Sequence, residues 1–195
     1  MNATFDLCCE LIRRASVTPD DAGCQALMMQ RLAAIGFECT DLPFGEVSNF
    51  WSERGTNGPI LVLAGHTDVV PVEGQPWTTD PWTVVEKDGK LFGRGTCDMK
   101  GFDALAIWAL VEAARRPLAR PLQLAMSYDE EVGCTGCVAM VAEMAERLPR
   151  AAAVPETAVP WASRYGRLAG QPGASSSVTI IPPPPVVMIL LPLKL

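Results

Sequence analysis

Apolar side chains at positions 5, 7, 8, 11 and 12 recur at helical spacing and predict a first helix over residues 4–14, ending before Ser16-Val17-Thr18-Pro19. Asp20 and Asp21 offer caps for a second helix that reaches residue 35 and is closed by Gly36. Residues 37–42 and 49–52 predict short strands. Residues 59–64 form a continuous apolar run of strand length bounded by Gly58 and Gly65, the pattern of a central strand covered on both faces. Residues 82–86 and 90–92 flank Lys87-Asp88-Gly89, a hairpin signal. A helix is predicted over 102–115 and stopped by Pro117 and Pro121; a second central strand follows over 122–127, then a helix over 138–148. Strands alternating with helices predict an α/β fold, with a mixed, largely parallel central sheet and helices on both faces.

This pattern does not continue to the last residue. Beyond residue 150 only Glu156, Arg164, Arg167 and Lys194 are charged, and eight of the 17 prolines fall there, including the run 182–185. Residues 1–150 are therefore expected to be one globular unit, and 151–195 an atypical Pro-rich apolar tail, poorly ordered and unable to form a helix. The tail is either genuine or an out-of-frame translation beginning near residue 153.

Composition narrows the function classes. The net charge of −6 and the pI near 4.8 exclude a phosphate-backbone binder, so no nucleic acid is expected as partner. No uncharged helical stretch of membrane-spanning length and no basic-then-apolar leader stand in the sequence, so no membrane association and a cytoplasmic location are expected. Seven cysteines at irregular spacing suit reduced thiols better than a disulfide framework. The single histidine means that any metal site must be carried mostly by carboxylates.

The polar residues gather at one kind of position. His66 and Asp68 follow the strand predicted over 59–64. Asp98 lies in the glycine-rich turn 93–101, before a helix. Asp129, Glu130 and Glu131 follow the strand over 122–127. Ligands of open α/β sheets bind outside the carboxyl ends of strands, and a carboxylate cluster with one imidazole repels itself unless a cation is present. Zn²⁺ suits a mixed His and carboxylate set. Taken singly, each has a structural reading: a satisfied core histidine, a solvated acidic helix start for Glu130 and Glu131, a turn or capping residue for Asp98. Their joint placement at strand ends favours a metal. Cys134-Thr135-Gly136-Cys137 reads as small packing residues in preference to a redox or zinc pair, since no second pair accompanies it. Trp77 and Trp82 read either as a cover for the crevice mouth or as structural.

Three motifs, Gly65-His66-Thr67-Asp68-Val69-Val70-Pro71, Gly93-Arg94-Gly95-Thr96-Cys97-Asp98-Met99-Lys100-Gly101 and Ser127-Tyr128-Asp129-Glu130-Glu131-Val132-Gly133, stand in an order and at spacings that resemble the co-catalytic zinc family of aminoacylases, acetylornithine deacetylases, succinyl-diaminopimelate desuccinylases and glutamate-type carboxypeptidases. The resemblance covers residues 1–150 and implies the N-terminal portion of a zinc-peptidase-like catalytic domain, incomplete here. It implies His66 as a ligand of one zinc, Asp98 as the carboxylate bridging two, and Glu131 as a ligand of the second. Asp68 would orient His66, and Glu130 would be the general base. Two Zn²⁺ are implied, with cobalt a possible substitute. The motif wording is most similar to the acetylornithine deacetylases, with the desuccinylases as nearest alternative. The implied function is hydrolysis of N-acetylornithine, in arginine biosynthesis, with a small N-acyl amino acid as substrate. The family's further acidic ligand, second histidine and dimerisation domain have no counterpart here, so the implied homodimer lacks its interface. A catalytically inactive, truncated fragment is the competing expectation.

Overall fold

The computed structural model describes residues 3–56, 60–147 and 187–189. Helices α1 (Ala3–Ile12) and α2 (Cys24–Ala33) precede strands β1 (Glu38–Phe44), β2 (Val47–Arg54) and β3 (Leu61–His66). The hairpin β4 (Val85–Lys87) and β5 (Lys90–Phe92) leads to α3 (Lys100–Ala114), β6 (Leu122–Ser127), α4 (Thr135–Arg147) and β7 (Val187–Ile189). The main sheet runs β1-β2-β6-β3-β7, and β4-β5 stand apart as a two-stranded ribbon. Pairing is antiparallel for β1/β2 and β2/β6 and parallel for β6/β3 and β3/β7. The mixed α/β sheet expected from the sequence is present, with the two pairing senses equally represented.

Strand β6 shows why both faces are covered. Its alternate residues Leu122, Leu124 and Met126 pack into the larger core with α1, α2 and α3, through Leu11, Ile12, Met28, Leu32, Ile107 and Leu110. The residue between, Ala125, joins Leu42, Trp51 and Val62 beneath Met140 and Met144 of α4 on the other face. All six β6 residues are buried.

The boundaries differ from the predicted ones where tertiary contacts decide them. Strand β3 reaches His66, because it stays paired with β6 as far as His66↔Ser127. Helix α2 starts at Cys24, since Gly23 in front of it has φ +78°, while Asp21 accepts from the Gln25 N–H at 3.1 Å. Helix α4 starts at Thr135, three residues earlier than predicted, because Asp129 caps it: the Asp129 carboxylate accepts from the Gly136 N–H at 2.7 Å and the Thr135 hydroxyl at 2.6 Å. Of the tail expected over 151–195, only Val187–Ile189 falls among the described residues, paired with β3. No helix among the described residues is long and apolar enough to cross a membrane.

Candidate metal centre

Because β3 and β6 are parallel neighbours in register, His66 and Ser127 end side by side, and the segments that follow them meet above the sheet. The centre of that meeting is Asp68. Its side chain is fully buried, and Oδ1 lies 3.3 Å from Nδ1 of His66. The same carboxylate accepts the backbone N–H of Glu130 at 3.3 Å on Oδ1 and of Glu131 at 3.1 Å on Oδ2. Asp68 therefore ties the end of β3 to the 3-10 turn Glu130–Val132 that follows β6. This second attachment is absent from the sequence reading, which gave Asp68 only the histidine.

His66 is likewise buried. Nδ1 lies 3.0 Å from the backbone carbonyl of Asp68. That contact, with the Asp68 carboxylate beside it, sets Nδ1 as the donor and turns Nε2 toward the open side. Nε2 lies 3.1 Å from Oδ1 of Asp98 and 3.7 Å from Oε2 of Glu130. Asp98 is delivered by the turn before α3. Gly101 lets that turn close, because a Cβ there would stand 2.3 Å from the Thr96 carbonyl oxygen. Behind it Lys100 is buried, and its Nζ donates to the carbonyls of Leu11 at 2.9 Å and Arg14 at 2.6 Å, fastening the end of α1 to the start of α3.

Ligand atoms of His66, Glu130 and Glu131 lie within 4.8 Å of one another, a separation that one cation can gather in. Asp98 adjoins this group through Nε2 of His66. Five of the six polar groups predicted to gather at the strand ends, His66, Asp68, Asp98, Glu130 and Glu131, are thus brought together. Asp129 is not among them, since its carboxylate is turned away to Ser127, Thr135 and Gly136. Trp77 packs under the Arg94 guanidinium, 5.1 Å from ring centroid to Cζ, with its Nε1 donating to Gln75.

The electrostatics are those of a site built for positive charge. Burial opposes a proton on His66, yet the hydrogen bonds to Asp68 and Asp98 and the fields of Asp68 and Glu130 outweigh it and raise its pKa to about 11. Glu131 is pushed up to about 7, first by burial, against the field of His66, then by the neighbouring carboxylates Asp98, Glu130 and Asp68. Glu130 is raised for the same leading reason. Without another cation, a proton on His66 offsets the crowded carboxylates. The donor set of one imidazole nitrogen and several carboxylate oxygens fits a first-row divalent ion.

Residues 62–180 match peptidase family M20/M25/M40. The chain belongs to that family. Its curated relatives include the succinyl-diaminopimelate desuccinylase of Xanthomonas oryzae pv. oryzae, 48% identical over 147 residues, which cover 74% of this chain and 39% of the relative. The desuccinylase of Hahella chejuensis is 58% identical over 102 residues, covering 52% of this chain and 27% of that protein. The chain thus spans about two-fifths of the length of the first of these relatives. Among solved structures, human carnosine dipeptidase 1 aligns with a TM-score of 0.68 at 22% identity, over 74% of this chain and 35% of that one. The family M20 metallo-carboxypeptidase Sso-CP2 from Sulfolobus solfataricus also aligns at 0.68, with 18% identity, over 76% of this chain and 36% of that one. These likenesses establish the M20 catalytic-domain fold for the described residues. The family assignment makes the chain part of a metal-dependent hydrolase lineage, and the relatives bear the desuccinylase name rather than the deacetylase name that the motif wording suggested.

Proposed function

We propose that this chain carries the metal-binding half of a hydrolase that cleaves the amide of an N-succinylated diamino acid, succinyl-diaminopimelate first among them. The observation that carries the reading is the double grip of Asp68, which holds the imidazole of one motif and the carboxylate turn of another around a shared crevice. In this reading residues 1–150 are the N-terminal portion of the catalytic domain. His66, Asp98 and Glu131 would hold the metal, with Asp98 as the shared carboxylate ligand. Bound Zn²⁺ or Co²⁺ would supply Lewis acidity toward water and the scissile carbonyl.

The chain's own residues then divide the work. Asp68 holds the Nδ1 proton and so keeps the Nε2 lone pair facing the crevice. Glu130, partly exposed and raised in pKa, accepts a proton from water and returns it to the leaving amine. Glu131 is the ligand of the pair, because a carboxylate bound to a cation is a poor proton acceptor. The cis Asp98–Met99 peptide lies in the turn that presents Asp98.

N-acetylornithine is the second substrate reading, favoured by the wording of residues 97–102 and 128–136. The test loads the full chain with Zn²⁺ or Co²⁺, measures metal uptake by calorimetry, and follows amine release from both substrates. Faster release from N-succinyl-diaminopimelate supports the first reading, and the reverse preference establishes the second. Metal uptake with neither amine released would show the chain to be a binding remnant rather than an enzyme.

A further inference from the structure

The turn that carries Glu130 and Glu131 runs directly into a cysteine pair. Cys134 is the last residue before α4, at φ +56°, and Cys137 lies in the helix's first turn. Only two residues separate them, a spacing that a disulfide can bridge. Both side chains are half-buried, and the Cys137 thiol reaches back to Cys134, its Sγ donating to the Cys134 carbonyl at 3.2 Å. The Cys134 thiol holds Cys137 below the ordinary thiol range, against the opposing effect of burial. The other described cysteines differ. Cys8, Cys9 and Cys24 are buried, Cys39 is half-buried with its thiol raised by burial, and Cys97 is exposed.

Cys134 is also part of the turn's framework. Its N–H donates to the Asp129 carbonyl at 2.9 Å, and its thiol contacts the Glu130 carbonyl at 3.8 Å. A disulfide needs an S–S distance of about 2.05 Å, shorter than any contact between two separate thiols. Closing it draws Cys134 toward α4 and pulls on the four residues before it.

We propose that Cys134 and Cys137 form a redox-active dithiol, oxidised to an intramolecular disulfide by a small-molecule disulfide of the glutathione class, and that closure loosens the Glu130–Glu131 turn. Cys137 thiolate attacks one sulfur of the oxidant, breaking its S–S bond and releasing one thiol. Cys134 then gives its proton to solvent and attacks the Cys137 sulfur, forming the protein disulfide and expelling the second thiol. The protein loses two electrons and two protons, and the oxidant gains both.

The experiment incubates the full chain with oxidised glutathione under native conditions, maps disulfides by mass spectrometry, and follows amide exchange across residues 128–134. The expected product is a Cys134–Cys137 linkage, with exchange of the Glu130 and Glu131 amides at least several-fold faster. Cys134→Ser should instead retain glutathione on Cys137, with those amides unchanged. Absence of the linkage in the native chain overturns the proposal, and so does a linkage that leaves amide exchange as it was. The native chain alone suffices for both readouts if the variant fails to fold.

Discussion

The β3–β6 pair has two ends of opposite character. At the carboxyl end, His66, Asp68, Asp98, Glu130 and Glu131 converge on one crevice. At the amino end an apolar cleft is lined by Ile60, Leu61, Ala113, Leu118 and Leu122 together with Arg116 and Arg120. Among the described residues it gathers no acids and no imidazole. A concavity alone does not mark a site; convergent donors at strand termini do. A parallel pair creates this asymmetry, because both strands deliver their following loops to the same side.

The sharpest way to break the contrast is at the acidic end. Glu130→Ala should lower turnover by about 10²–10⁴-fold, the usual worth of general acid–base help, while leaving bound metal nearly unchanged. Glu131→Ala should lose metal. Metal analysis beside amine release separates the two, and the opposite result would exchange their roles. Asp68→Asn should weaken metal binding about 10–100-fold, the usual cost of losing a ligand's supporting carboxylate. Calorimetry would read this, and an unchanged affinity would show that the backbone carbonyl alone orients His66. Arg116→Ala at the apolar end should leave metal affinity as it is.

Protons give a further contrast. His66, with its folded pKa raised from 6.5 to about 11, stabilises the metal-free fold below pH 6.5 and loses that contribution as pH rises toward 11. Glu131, raised from 4.5 to about 7, acts in the same direction between those values. The metal-free chain should therefore lose thermal stability as pH rises from 5 to 8. Metal must displace the His66 proton, so its affinity should rise over the same range, with proton release visible in calorimetry across buffers of different ionisation heat. A metal affinity independent of pH would remove His66 from the ligand set.

The smallest effect concerns a second buried aspartate. Asp103 on α3 is as buried as Asp68, but neither of its oxygens has a hydrogen-bond partner among the described residues, and burial pushes its pKa well up. Asp68 is held by three donors; Asp103 is a cost to the fold. Asp103→Asn should raise stability by about 1–3 kcal/mol at neutral pH, because the amide carries no charge to desolvate at this buried position. Denaturant titration checks this, and a loss of stability would reveal a partner for the carboxyl.

Much of this molecule is legible without its structure. The apolar run of β6 has the extent that the pattern predicts, Leu122–Ser127, and the helices differ from their predicted ranges by a few residues. The motifs bearing His66, Asp98 and Glu131 mark the site because their residue types are costly unless a cation gathers them. Nothing in local sequence distinguishes Asp129 from Glu130 one residue later, yet one caps α4 and the other faces the crevice. Lys100 gives no sign that its ammonium will close α1, 86 residues back. The reach of Asp68 to the Glu130 and Glu131 amides, more than 60 residues on, is equally silent. Periodicity and turn chemistry depend on neighbours in the chain, so the sequence by itself determined the elements and the stock of ligands. Which carboxylate meets which partner depends on the register of β3 against β6 and on the direction of a single turn, and only the tertiary structure decided those.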